Sequence, residues 1–279
     1  MSCCYIVATP IGNLDDITIR AVNTLKKVDL ILAEDTQHTR RLLAHYAITT
    51  ALLSLNEHNE QQRLVYILNE LKQGRTLALV SDAGTPLISD PGYLLVSTLR
   101  RKGIDVVPIP GANAAVTALS ASGLKSRNFT FIGFLPTKPK QRIDALNVLK
   151  YKPETLIFYE SPKRILTLIK AIDSIFGSKR LLCLAKELTK VFETIMTQNS
   201  TAMIHWLEED IRRQKGEFVL LVEGADAQDK LQTSNAHIEH VLTHLLTELS
   251  TAKAAKIAAK ILAADKKQCY QLALQLKPI

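Results

Sequence analysis

A chain of 279 residues is long enough for two domains of ordinary size, and its content of 47% apolar and 22% charged residues is typical of globular proteins. No apolar run approaches the roughly 20 residues that a membrane-spanning helix needs. The net charge of +8 favours a polyanionic partner, because Lys and Arg side chains release counterions from phosphates.

The first 125 residues alternate short apolar runs with longer helical patterns. The runs lie at 5–8, 30–33, 77–80 and 106–109. Buried parallel strands have this uninterrupted apolar character. Leu64, Leu68 and Leu71 recur between them at helical spacing. This alternation predicts an α/β domain over 1–125 with a mostly parallel sheet.

A second series begins after residue 125. Its predicted strands lie at 129–132, 156–159, 181–184 and 218–222. Helical patterns follow at 163–176, ending at Gly177, and at 200–214, where Ser200 is a candidate cap. We therefore expect a second α/β domain over 126–226.

The C-terminal region is predicted to be a small basic helical module. A polar segment at 225–235 without periodicity is expected to be a linker. Helical patterns follow at 236–249, 251–264 and 266–276. The last 29 residues contain six lysines and one aspartate, so we place a basic module at 236–279.

The four cysteines, Cys3, Cys4, Cys183 and Cys269, form no Cys-x-x-Cys pair and match no zinc spacing. We interpret them as reduced thiols of a cytoplasmic protein with no metal site. The N-terminus has no basic leader, so a signal peptide is not expected.

Four polar loops follow predicted strands, at 9–18, 33–40, 80–92 and 110–115. Ligands of open α/β sheets bind at these carboxyl ends. Each loop also has a purely structural explanation. Gly12 would permit a tight turn, Asn13 or Asp15 would cap a helix, and the acids Glu34 and Asp35 would cap the next one.

The loop at 80–92 is the most suggestive of the four. It contains two Asp, two Pro and two Gly within eleven residues. A surface turn rarely needs so many fixed or permissive dihedral angles, so we expect a ligand site here. No Gly-x-Gly-x-x-Gly or P-loop motif accompanies it, which argues against nucleotide phosphates as the ligand.

At these residues the sequence closely resembles the ribosomal RNA small subunit methyltransferase I family, of the tetrapyrrole-methylase-like superfamily. The resemblance runs through nearly the whole chain in ordered blocks. They are Ala8–Ile17, Ala33–Thr36, Asn56–Glu60, Val80–Gly92, Gly133–Pro136, Tyr159–Pro162, Lys186–Lys190 and Lys215–Glu217.

The resemblance implies a two-domain tetrapyrrole-methylase-like α/β fold with S-adenosylmethionine in the cleft between the domains. It implies 2′-O-methylation of cytidine 1402 in the 16S ribosomal RNA of the 30S subunit, by a homodimer. The residues implied to bind the cofactor are Pro10, Asp82, Thr85, Asn113 and Ala114 from the first domain, and Tyr159 and Phe218 from the second.

Two positions depart from the family pattern, and one of them, Leu55 before the Asn56–Glu60 block, has no clear consequence. After Tyr159–Pro162 the family commonly has His-Arg, whereas this chain has Lys163-Arg164. A lysine keeps a positive charge there but is no neutral base near pH 7 without a large pKa shift. A catalytic role for this position is therefore not expected.

The proton acceptor and the RNA contacts are open to several candidates. Glu57 and His58 are candidate catalytic residues, because their block marks the RNA-specific branch; Asp35 and Asp82 are other acceptors. A structural role for His58 in a loop is the alternative. The candidate RNA contacts are basic side chains in three places. Lys138, Lys140 and Arg142 lie in a predicted mobile basic loop, and Lys163 and Arg164 follow the Tyr159–Pro162 block. Lys253, Lys256 and Lys260 share one helix face.

Two other functions remain open at this point. One is methylation of a small molecule, as by a precorrin-type or diphthine methyltransferase of the same superfamily. The other is a non-catalytic RNA-binding assembly factor. The basic tail and the Asn56–Glu60 block favour an RNA substrate over a tetrapyrrole.

Overall fold

A computed structural model describes residues 2–226, 235, 238–262 and 264–276. The first domain contains a five-stranded parallel sheet with the order β3-β2-β4-β1-β5. Its strands are β1 (Cys3–Val7), β2 (Leu30–Ala33), β3 (Leu52–Ser54), β4 (Leu77–Val80) and β5 (Asp105–Ile109). Its helices are α1 (Ile19–Lys27), α2 (Thr36–His45), α3 (Glu60–Lys72), α4 (Tyr93–Arg101) and α5 (Ala114–Ala121).

The second sheet is mixed and has the order β6-β7-β10-β8-β9. Only β6 and β7 pair in parallel. The strands are β6 (Phe129–Phe134), β7 (Thr155–Glu160), β8 (Leu181–Lys186), β9 (Thr194–Asn199) and β10 (Phe218–Val222). The helices are α6 (Pro139–Leu149), α7 (Ile165–Phe176) and α8 (Ser200–Glu209).

Three helices form the C-terminal module: α9 (238–245), α10 (Thr251–Leu262) and α11 (Lys266–Gln275). Buried side chains from all three, such as Leu242, Ala258 and Cys269, form a separate apolar cluster. The predicted linker lies mostly outside the described residues, as do 236–237, 263 and 277–279 of the predicted module. Among the described residues, no helix is long and apolar enough to cross a membrane.

Every predicted strand is present, and the two-domain α/β fold class is confirmed. Strands β3 and β9 were not predicted from the sequence. Strand β3 has three residues, and β9 has the sequence Thr-Ile-Met-Thr-Gln-Asn, which is mostly polar. Both lie at the edge of their sheet, where one side of the strand has no partner and the apolar signal is weak.

Several local predictions were wrong. The mobile basic loop is instead the start of α6, because Pro139 occupies the first turn, where its missing N–H costs nothing. Asn199, not Ser200, caps α8; the Ser200 hydroxyl donates to Asp173 at 2.5 Å. The prediction that Asp35 caps the following helix is confirmed, since its carboxylate accepts from the N–H groups of Gln37 and His38.

Helix α5 joins the two domains. Its Ala115, Ala118 and Leu119 are buried against Val219 and Leu221 of the second sheet. Alanines let the helix approach the sheet closely, and the apolar area that it covers supplies most of the attraction. The first domain is therefore fixed to the second through a shared core.

Gly12 makes a second contact between the domains. A Cβ atom at this position would lie 2.6 Å from the carbonyl oxygen of Leu188 in the β8–β9 loop. The backbone N–H of Asn13 donates to Thr189 Oγ1 at 3.0 Å in the same place. Gly12 is therefore needed for close approach to the β8–β9 loop, a role that the sequence did not indicate.

The packing of α5 predicts an asymmetric response to larger side chains. Ala118→Leu should lower the free energy of unfolding by about 1–3 kcal/mol, because extra methyl groups have no room in a filled core. Val116→Leu, on the exposed side of the same helix, is the matched control and should change it by less than about 0.5 kcal/mol. Urea unfolding measures both, and equal effects would contradict the shared core.

Candidate active site

A cavity of about 350 Å³ lies between the two domains. Its first wall comes from the carboxyl ends of parallel strands, where loops after β1, β4 and β5 meet. Its second wall comes from β6, β7 and β10 and the loops beside them. Ile11, Ile88, Phe134, Leu188 and Phe218 give it an apolar lining with few polar groups, as in most small-molecule sites.

Most of the predicted cofactor residues line this cavity. Five do so: Thr85, Asn113, Ala114, Tyr159 and Phe218. Pro10 and Asp82 do not. Asp82 instead accepts a hydrogen bond from the backbone N–H of Asp35 at 3.0 Å, so it fixes the start of α2.

Asn113 and Tyr159 converge on the first turn of α5. The Asn113 Oδ1 atom accepts from the N–H groups of Ala115 and Val116 at 3.0 and 3.3 Å, which caps the helix. The Tyr159 hydroxyl oxygen also accepts from Ala115 N–H, at 3.2 Å, across the domain boundary. Burial raises the pKa of Tyr159, so its proton stays on and is free to be donated.

Glu160, which lines the cavity, forms an ion pair with Arg164. One carboxylate oxygen of Glu160 accepts from Arg164 Nε and Nη2 at 2.7 Å and from the Ser161 N–H. Arg164 Nη2 also donates to the Leu135 carbonyl at 3.2 Å. The pair holds the Ser161-Pro162 turn against the cavity. Arg164 therefore bonds within the protein and not to RNA, contrary to the sequence-based expectation.

The other candidate RNA contacts differ in exposure. Arg142 is buried, and it donates to the Thr137 carbonyl, so its predicted contact with RNA is corrected. The remaining side chains are exposed: Lys138, Lys140, Lys163, Lys253, Lys256 and Lys260.

Carboxyl groups gather where β2 and β4 end, next to the cavity. Partial burial raises the pKa of Glu34 to about 7. The negative charges of four neighbouring carboxyl groups add to the shift: Asp82, Asp90, Glu57 and Asp35. Burial and the neighbouring Asp82 raise the pKa of Asp90 to about 6, against a hydrogen bond from Ser81. Asp90 itself lines the cavity.

The Asn56–Glu60 block is mostly structural. Asn56 and Asn59 bond to each other's backbone N–H groups, and Glu60 accepts from Leu95 N–H at 2.8 Å, which anchors the start of α4. Glu57 and His58 are exposed and do not line the cavity. Glu57 nevertheless lies close enough to influence Glu34.

Sequence reasoning missed Asp90 and Phe134. Asp90 belongs to the loop at 80–92, whose density of Gly, Pro and Asp did mark a ligand site. The sequence did not tell which of its two aspartates faces the cavity. Phe134 was quoted within a motif, yet an exposed aromatic at the end of a strand has no distinctive pattern.

Comparison with known proteins shows which family shares this sequence and fold. The family model described as Tetrapyrrole (Corrin/Porphyrin) Methylases matches residues 4–203, and the one described as RsmI C-terminal HTH domain matches residues 232–277. The ribosomal RNA small subunit methyltransferase I of Escherichia coli O157:H7 is 54% identical over 226 residues, 81% of this chain and 79% of that protein. The chain belongs to the ribosomal RNA small subunit methyltransferase I family.

Other members of the family extend the similarity through the C-terminal module. The Pseudomonas aeruginosa protein of the same name is 46% identical over 97% of this chain and 96% of its own. Among solved structures, the methyltransferase CobJ is similar with a TM-score of 0.61 at 18% identity, covering 81% of this chain and 95% of that one. Diphthine synthase is similar with a TM-score of 0.59 at 12% identity, covering 80% and 90%. These two structures support the fold alone.

The buried ion pair generates a stability prediction. Arg164→Met should lower the free energy of unfolding by about 3–5 kcal/mol, because it leaves the fully buried carboxylate of Glu160 without its cation. Lys170→Met is the matched control. It removes an exposed pair with Glu208 and should cost at most about 1 kcal/mol. Chemical unfolding compares them, and similar losses would contradict the burial of Glu160.

Glu34 generates a pH-dependent prediction. Between pH 4.5 and about 7 its folded form holds a proton that the unfolded chain has released, so this group lowers stability as the pH rises. Glu34→Gln should therefore raise the unfolding temperature at pH 8 and leave it unchanged near pH 4. Asp105→Asn, an exposed carboxyl at the opposite end of the sheet, should have no such pH dependence. A Glu34→Gln effect that is equal at both pH values would exclude this interpretation.

Proposed function

We propose that the protein methylates the 2′-hydroxyl of cytidine 1402 in 16S ribosomal RNA within the 30S subunit, with S-adenosylmethionine as methyl donor. The observation that carries the proposal is the cavity between the domains, in a chain whose relatives are named for methylating small-subunit ribosomal RNA. A cytoplasmic homodimer is part of the same proposal.

The cavity fits such a donor by its chemistry. Flat apolar side chains suit an adenine ring, and the faces of Phe134 and Tyr159 suit a sulfonium cation. The carboxylate of Asp90 adds a negative charge next to them. When bound, S-adenosylmethionine supplies a methyl group activated by the positive sulfur.

The residues of the chain would then orient the two reactants. Thr85, Asn113 and Ala114 form one wall, and Tyr159 and Phe218 form the other. Asp82 fixes the start of α2 outside the lining, and Pro10 stays a predicted contact. Holding the reacting atoms in line is worth several kcal/mol of barrier, on the order of 7–11 in the best cases. Glu57 and His58 stay predictions as proton acceptors, at exposed positions beside the acidic cluster.

Exposed lysines support an RNA acceptor. Lys253 and Lys256 of α10 line a concave surface with Lys266 and Lys267 at the start of α11 and with the exposed Tyr270. Four ammonium groups with an aromatic ring suit a nucleic-acid backbone and an unstacked base. Lys138, Lys140, Lys163 and Lys260 are the further proposed contacts.

Labelled methyl transfer tests the function directly. The purified protein and labelled S-adenosylmethionine are incubated with 30S subunits or naked 16S RNA that lack the modification, and nucleosides are identified by mass spectrometry. We expect 2′-O-methylcytidine, and calorimetric binding of S-adenosylmethionine without RNA. Binding without transfer to either acceptor would contradict the RNA substrate and favour a small-molecule methyltransferase, to be tested with a tetrapyrrole. No binding at all would favour a non-catalytic assembly factor.

A further inference from the structure

Three carboxyl groups line the cavity, and two of them already have a cation. Glu160 is paired with Arg164. Glu217 lies 3.0 Å from Lys190. Asp90 is the third, and within the described part of the chain no Lys, Arg or His lies within 4.0 Å of it. Asp90 therefore presents an uncompensated negative charge to the space where a ligand would lie.

The loop that carries Asp90 is held in an unusual backbone conformation. Between residues 84 and 92, Leu87 and Ser89 have φ angles of +72° and +71°, although neither is glycine. Such conformations cost roughly 1–2 kcal/mol each and persist where the surroundings enforce them, often at functional sites. Gly92, with φ of +122°, ends the loop against the Leu79 side chain. The loop thus fixes Asp90 at the cavity wall.

We propose that Asp90 is the catalytic residue that accepts the proton of the acceptor hydroxyl during methyl transfer. This inference rests on the proposed function and adds to it the identity of the base. The ribose 2′-oxygen bonds to the methyl carbon while the carbon–sulfur bond breaks, and the electron pair of that bond goes to sulfur. The hydroxyl proton goes to the Asp90 carboxylate. The step turns a sulfonium into a neutral thioether and leaves Asp90 protonated.

The groups facing Asp90 suit this role. Asp82 and Glu34 lie on the sheet side and add negative charge, while the nearby Ser81 hydroxyl favours the ionised form of Asp90 and lowers its pKa. Tyr159 faces it from the second domain with a hydroxyl proton to give. Burial and Asp82 hold the pKa of Asp90 at about 6, so the carboxylate is ionised at neutral pH and is a stronger base than an ordinary aspartate.

Glu57 is less well placed for the same step. Its side chain is exposed and does not line the cavity. A base must come within hydrogen-bonding distance of the proton that it removes, directly or through one water molecule. Asp90 meets this requirement for a hydroxyl entering the cavity, so it is preferred over the candidate that the sequence suggested.

The test compares the wild type with Asp90→Asn, Glu57→Gln and the control Asp105→Asn, all uncharged replacements of similar shape. Single-turnover transfer to 30S subunits is measured at saturating and at limiting S-adenosylmethionine from pH 5 to 8. Asp90→Asn should slow transfer by about 10²- to 10⁴-fold. Its affinity for the neutral product S-adenosylhomocysteine, measured by calorimetry, should match the wild type. Loss of the negative charge should weaken S-adenosylmethionine binding far less than it slows transfer at saturating donor. At limiting donor, where the rate reports the free protein, the wild-type rate should rise tenfold per pH unit below about 6 and level off above it.

Several results would overturn the assignment. One is an Asp90→Asn variant that reaches the wild-type rate at saturating donor and binds S-adenosylmethionine much more weakly, while its binding of S-adenosylhomocysteine is unchanged. Asp90 would then be only a counter-ion for the sulfonium. A large loss in Glu57→Gln without one in Asp90→Asn would return the role to Glu57. A wild-type profile at limiting donor that is flat from pH 5 to 8 would exclude Asp90 even if the variant failed to fold. Absence of transfer by the wild type would instead refute the proposed function.

Discussion

The packing of α5 against the second sheet is the constraint on which the site depends. Without it, the carboxyl ends of the parallel strands would face solvent, and no cavity would form. The helix contributes Ala115 and Ala118 to the shared core, and its first turn receives Asn113 and Tyr159. One element therefore supplies the apolar attraction between the domains and sets the position of two polar groups at the ligand cavity.

The cavity is also electrostatically uneven. Its second wall has charges that are neutralised locally, through Arg164 and Lys190. Its first wall borders Asp82, Glu34 and Asp90, and the charge of Asp82 contributes to the raised pKa values of Glu34 and Asp90. A cationic ligand would relieve this repulsion, whereas an anionic one would add to it, so the charge distribution selects for positive ligands. The basic surface of the C-terminal module has the opposite sign and suits a different partner.

Much of the fold was predictable, because buried strands have continuous apolar sequences and helices have their own period. Strands β3 and β9 were not predicted, because edge strands have little apolar signal. The site was predictable at the level of its loops but not of its side chains. Asp82 and Asp90 flank the same turn, and only the backbone around Leu87 and Ser89 decides which faces the cavity. Arg142 and Arg164 were predicted to contact RNA, but their side chains bond within the protein. Composition does not distinguish a solvated cation from one that pairs internally.

The close approach at Gly12 has a consequence for how a ligand is accommodated. The contacts of Gly12 with the β8–β9 loop and of Tyr159 with α5 tie the domains together on both sides of the cavity before anything enters it. A ligand therefore meets a preorganised space and loses little binding energy to ordering the protein. Affinity then depends on how well the ligand matches the walls as they stand. Selectivity among chemically related donors becomes a matter of shape, with little adjustment by the protein to accommodate a poor match.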